Sequence, residues 1–215
     1  METEFEFSGG RLCLDFANAR RALSKGDPRR RYASLLRWSQ LAGSVSEQQT
    51  RRLAGAAARR PAEAKAVVER AGHLGEAING IFTSLAAGRQ PASAAVGVLN
   101  AELARAMSEA RLVPTNGGFS WGWSRTKAPL ESVLWPVARS AADLLVSEEI
   151  VSVKVCSDAT CLDLFVDATK NHRRRWCDMK VCGNRAKVRR FRARQRAEPM
   201  ESVSPGKRAG QGRRD

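Results

Sequence analysis

Histidine, tyrosine and long apolar runs are scarce in this chain. It has two histidines and one tyrosine in 215 residues. His73 and His172 stand far apart in the sequence, and no nucleophile–base pairing is legible around them. No glycine-rich phosphate loop is present, so the sequence predicts a protein that is not an enzyme. His73 falls on a predicted helix as a structural or exposed residue, and His172 at a predicted turn tip beside three arginines. No apolar run approaches the ~20 residues of a membrane span. The opening METEFEFSGGRLCLDF has neither a basic nor an apolar signal region. A reducing cytosol is the expected compartment, where clustered cysteines are metal ligands more often than disulfides.

Acidic residues are also in the minority. Lys and Arg number 37 against 22 Asp and Glu, for a formal charge of +15. Arginine dominates the basic set throughout, but its clustering says more than its abundance. Residues 154–196 hold 13 Lys or Arg against four Asp, so a fifth of the chain carries more than half the excess. Such a patch is the footprint of a polyanion-binding surface.

Four of the five cysteines lie inside that basic segment. Cys156, Cys161, Cys177 and Cys182 read C-x4-C, fifteen residues, C-x4-C. Each pair closes a small loop that can aim two thiolates at one ion, and four thiolates make a closed, structural Zn2+ site. Two disulfides or an iron–sulfur cluster use the same residues and stay open alternatives. Cys13 stands alone between apolar neighbours as a small buried hydrophobe.

The spacing predicts a mainly α protein. Helices are expected from the GGRLCLDF segment onward, over 32–41, from a Ser46/Gln49 capping box to Pro61, over 61–87 and from Pro91 to about 110. Asn116-Gly117-Gly118 signals a β-hairpin that places Trp121 and Trp123 on one strand face. A helix follows Pro129 to about 147, kinked or restarted at Pro136. The helical domain is expected to span 1–150, the zinc module 151–196, and a disordered tail 197–215. Inside the module, Leu164 to Ala168 is expected to pair with the 175–177 segment as a hairpin. Val181, Val188 and Phe191 are expected to pack the last helix against it.

Candidate nucleic-acid contacts are Arg173, Arg174 and Arg175 on the hairpin, and Arg185, Lys187, Arg189, Arg190, Arg192 and Arg194 on the helix. Asp15 and Asn18, three apart on a predicted helix, mark either a ligand pocket or a local core hydrogen bond.

The stretch from Cys156 to Arg194 closely resembles the CGNR zinc finger, named for the residues that stand here as Cys182, Gly183, Asn184 and Arg185. Arg174 to Cys177, Phe165 and Asp167 fit the same pattern. The segment GGRLCLDFANA, with Gly9, Gly10, Leu14, Asp15 and Asn18, resembles the ABATE domain, as do the Trp-containing segment near 121 and residues 134–145. The resemblance implies a treble-clef-like finger behind a helical domain, in a mostly bacterial family described as stress-induced transcription regulators. It implies one zinc, duplex DNA as partner, and a nucleoid-associated place in the cytoplasm. The N-terminal domain would sense a small molecule or protein signal, or form a homodimer. Under this reading Gly183 allows close backbone approach and Asn184 bonds backbone at the helix start. Arg185 pairs either with a carboxylate such as Asp167 or with phosphate. The alternatives are an RNA-binding or ribosome-associated protein, and a protein-interaction or redox-sensing module.

Overall fold

The computed structural model describes residues 5–24, 30–123 and 129–197. The loop expected around 24–31 falls largely outside these residues, and the tail expected to be disordered lies outside them from residue 198 on. Seven α-helices are present among the described residues: α1 Leu12–Leu23, α2 Arg31–Leu41, α3 Glu47–Arg59, α4 Pro61–Ala86, α5 Ser93–Glu109, α6 Trp135–Leu145 and α7 Asn184–Ala197. Two antiparallel ribbons accompany them, β1 Ala110–Thr115 with β2 Gly118–Trp123, and β3 Val153–Val155 with β4 Leu164–Val166.

Local chemistry sets the helix boundaries. Ser46 and Gln49 form the reciprocal capping box at α3, each side chain meeting the other residue's backbone amide. Pro61 occupies the first turn of α4, where its missing N–H costs nothing. α4 buries Val67, Ala71, Leu74, Ile78, Ile81 and Phe82, one stripe at helical spacing. Short 3-10 turns at Leu130–Val133 and Glu148–Ser152 flank α6, and Pro136 sits in the first turn of that helix. Pro136 thus begins a second segment after Pro129. The β1–β2 register pairs Leu112 with Trp121 and Ala110 with Trp123. It puts both indoles on the α6 side, where Trp123 meets Trp135 at 5.5 Å and Arg139 covers Trp121 at 4.2 Å.

α1 and α4 form the centre of the main core, with Phe16 set edge-on to Trp38. This core does not end at residue 150. Val153 and Leu164 are fully enclosed in it, with Val155 and Val166 packed against it. Strand alternation sends Phe165 to the opposite face, into a second cluster made with Cys156, Cys177 and Cys182. The β3–β4 ribbon therefore has one face on the helical core and the other on the cysteines.

The pairing within the C-terminal module differs from the sequence expectation. β4 pairs with β3, in the register Val153 to Val166 and Val155 to Leu164, and not with the 175–177 segment. The first cysteine pair lies in the β3–β4 connection. The 175–177 stretch runs alongside as irregular chain, joined to it by the Ser157 amide bonding the Arg175 carbonyl at 2.9 Å. The apolar Val-Lys-Val run before Cys156 supplied the better partner because its valines reach the main core.

The outer edge of β4 is closed by the N-terminal residues. The Asn18 side chain accepts from the Leu164 amide and donates to the Leu164 carbonyl, both at 2.9 Å. The Val166 amide bonds the Gly9 carbonyl at 2.9 Å, and the Gly9 amide donates to Asp15 Oδ1 at 2.7 Å. A Cβ at Gly9 would lie 2.9 Å from both Leu14 Cβ and Asp15 Oδ1, so this position is closed to larger residues. Asp15 and Asn18, expected as a ligand pocket or a core hydrogen bond, thus serve as a clamp between α1 and β4.

Candidate metal centre and nucleic-acid interface

The second cysteine pair is held by a different device from the first. Asp158 sits in the Cys156–Cys161 loop with no exposed surface. Its Oδ1 accepts from the Thr160 amide at 3.0 Å and the Thr160 hydroxyl at 2.8 Å, closing an Asx-type turn. The Cys161 amide then bonds the Asp158 carbonyl at 2.9 Å, and Leu162 takes a left-handed φ of 61° to turn the chain into β4. At the other end Asp178 accepts from the Lys180 and Val181 amides and caps a π turn, Met179–Gly183, which carries Cys182. The Asn184 side chain donates to the Lys180 carbonyl at 2.8 Å and joins this turn to α7. Asn184 bonds backbone at the helix start, as its place in the motif implied.

These turns bring the four Sγ atoms within 4.8 Å of one another. Cys161 and Cys177 are 3.4 Å apart, and Cys177 and Cys182 are 3.7 Å apart. A tetrahedron of thiolates around Zn2+ at about 2.3 Å has edges of about 3.8 Å, whereas a disulfide needs about 2.05 Å. All five cysteines are free. Burial raises the Cys161, Cys177 and Cys182 thiols above the usual cysteine value. At Cys156 burial acts in the same direction, but the backbone amides facing it outweigh burial and lower the value. Thiols this crowded ionise together when a divalent cation supplies the charge. The cluster holds one structural zinc, and four sulfur ligands leave it no open coordination position.

The family-model comparisons agree with this geometry. Residues 152–195 match the CGNR zinc finger, and residues 10–148 match the ABATE model, described as "Putative stress-induced transcription regulator". The chain belongs to the ABATE family. It carries the CGNR finger directly behind that domain, and no curated protein matches the chain. The zinc-binding chain is therefore one of a family of regulators, and no helix among the described residues is long and apolar enough to cross a membrane.

The arginines of the finger fall into two groups. Arg185 and Arg189, each still half exposed, pair with the buried Asp158, Arg189 at 3.0 Å from Oδ1 and Arg185 at 3.6 Å from Oδ2. Arg185 also donates to Cys182 Sγ at 3.5 Å, placing positive charge beside a thiolate. The carboxylate partner of Arg185 is thus Asp158 and not Asp167. Thr160 and then Arg189 hold the Asp158 carboxyl below the usual carboxylate range. Asp167 is buried and takes Lys154 at 2.6 Å, the Arg174 amide at 2.9 Å and Thr169. Burial opposes its charge, but Lys154 and these donors outweigh it and hold the carboxyl well below its usual range. Arg174 also works inside the module: it donates to the Trp176 and Cys177 carbonyls and lies over the Phe165 ring at 4.6 Å.

Arg173, Arg175, Lys187, Arg190, Arg192 and Arg194 are exposed. Arg175 lies over Trp176 at 5.4 Å. α7 itself departs from expectation. Val188 is 47% and Phe191 60% exposed, and neither packs against the ribbon. Arg185 and Arg189 meeting Asp158 hold the base of the helix by charge, which leaves its apolar stripe in solvent. Sequence reading missed Asp158. Its signal was an Asp-x-Thr inside a cysteine loop, a pattern that favours an Asx turn.

Proposed function

We propose that the protein is a duplex-DNA-binding transcription regulator, with α7 as the element that enters the groove. One observation carries this reading: a zinc-anchored helix projects with every described side chain from Lys187 to residue 195 exposed. Lys187, Arg190 and Arg194 lie on one side of an exposed Val188–Phe191 stripe and Arg192 on the other. Arginines reach phosphates and guanine edges, and apolar side chains suit thymine methyl groups. Arg173 and Arg175 offer a second set of backbone contacts from the finger's loop. The reading places the protein with nucleoid DNA, answering a stress signal received by the ABATE domain.

The test is selection of zinc-loaded protein against a random duplex library at physiological salt. An enriched motif is expected, and a palindromic one would report a homodimer and its spacing. Absence of duplex binding even at low salt would sink the reading. Arg190→Ala should keep zinc stoichiometry and lower the salt slope of binding by about one phosphate contact.

A second reading, RNA with unpaired bases in its loops, has one observation in its favour. Phe191 is exposed among arginines, and such rings stack on unpaired bases. Competition between structured RNA and duplex DNA at matched salt separates the two.

A further inference from the structure

A cleft of about 520 Å³ lies away from the finger, between the α2–α3 corner and the β1–β2 ribbon. The ribbon presents its small-residue face here, Val113, Ser120 and Gly122, while Trp121, Trp123 and Trp135 close the aromatic side. Ser46 and Gln49, which cap α3, line it on the helical side. Arg52, exposed at the mouth, is shared with a neighbouring groove of about 570 Å³ lined by Arg51, Arg59 and Arg60.

Trp135 is 2% exposed and meets Trp123 beneath this wall at 5.5 Å. A tryptophan-lined wall and a cation at the mouth point to one chemistry. The volume matches that of small-molecule sites.

We propose that this cleft binds a small flat aromatic molecule bearing an anionic group, its ring against the tryptophans and its anion at Arg52. Aromatic carboxylates and mononucleotides share this chemistry. The proposal rests on the cleft alone and stands or falls apart from DNA binding.

The test titrates zinc-loaded, full-length protein with salicylate and with AMP, following tryptophan fluorescence and melting temperature. Benzyl alcohol and adenosine serve as uncharged counterparts. At least one anion is expected to bind and to raise the melting temperature. Salicylate alone would assign the carboxylate class, AMP alone the nucleotide class, and both together a site that reads only ring and charge. Arg52→Ala should weaken that anion at least about tenfold, the scale of one lost charge-assisted contact, and leave the uncharged counterpart unchanged. Ser120→Trp, at an exposed strand position, should fill the cleft and abolish binding. In both variants zinc content and duplex affinity should stay as in the parent. Absence of binding by either anion up to about 10 mM would overturn the proposal. So would binding that survives both substitutions, which would place the anions on the finger's arginines instead.

Discussion

Asp15 shows what one side chain does at the join between α1 and β4. Burial raises its carboxyl to about 6, against the pull of the Gly9 amide, with the Asp163 charge adding to the rise. The native state therefore favours the protonated form. That preference contributes in full below the unfolded value near 4 and is lost as pH rises through about 6. Asp15→Asn keeps an acceptor for Gly9 and removes the charge. It should gain about 1–2 kcal/mol over the parent at pH 7.5 and flatten the parent's decline in stability between pH 5 and 7.5. Urea melts of the zinc-loaded proteins across that range check it. Asp158 is the second residue of this kind, tying the metal loop to the helix. Asp158→Asn retains the turn to Thr160 and loses the pairing with Arg185 and Arg189. Zinc stoichiometry should remain one per chain while α7 amides exchange about tenfold faster, a modest local opening. Unchanged exchange would mean that the π turn alone fixes α7.

Among the elements, legibility in the sequence followed the strength of the local signal. The α3 capping box, the Asn116-Gly117-Gly118 turn and the α4 stripe are each contained in a few consecutive residues, and all three stand as expected. The four zinc ligands were equally plain, because spacing alone brings each pair together. The β3–β4 pairing was not legible. Whether β4 pairs with 153–155 or with 175–177 depends on which valines reach the α1–α4 core, and a linear pattern holds no such information. The exposure of Val188 and Phe191 was hidden for the same reason: Asp158, some thirty residues upstream, decides which side of α7 faces inward. Asn18 belongs at this scale because it acts as a one-residue strand along β4. Asn18→Ala would leave both backbone groups of the buried Leu164 unpaired. A loss of about 2–4 kcal/mol is expected from two such groups, measured as a lowered urea midpoint with the zinc site intact. A loss under about 0.5 kcal/mol would mean water replaces the amide.

Across the whole molecule, the expected boundary at residue 150 divides the family models but not the apolar core. Val153 and Leu164 are buried with α1 and α4, while Phe165 on the opposite face packs on the cysteines. Zinc binding and helical packing therefore share the ribbon. Removal of zinc with a strong chelator, or Cys177→Ser, should lower the melting temperature of the helical signal by at least about 5 °C, since ligand binding to the native state adds directly to stability. An unshifted helical transition would show that the ribbon keeps its place without the metal.

The clamp on β4 also bears on whether the finger is a transplantable cassette. Cut free at residue 151, it would carry a strand whose Leu164 amide and carbonyl and Val166 amide have lost Asn18 and Gly9, beside apolar surface that had been core. Bare strand edges recruit other strands. The excised finger should bind zinc yet self-associate, and grafts of it onto foreign domains should behave poorly unless the first helix travels with it.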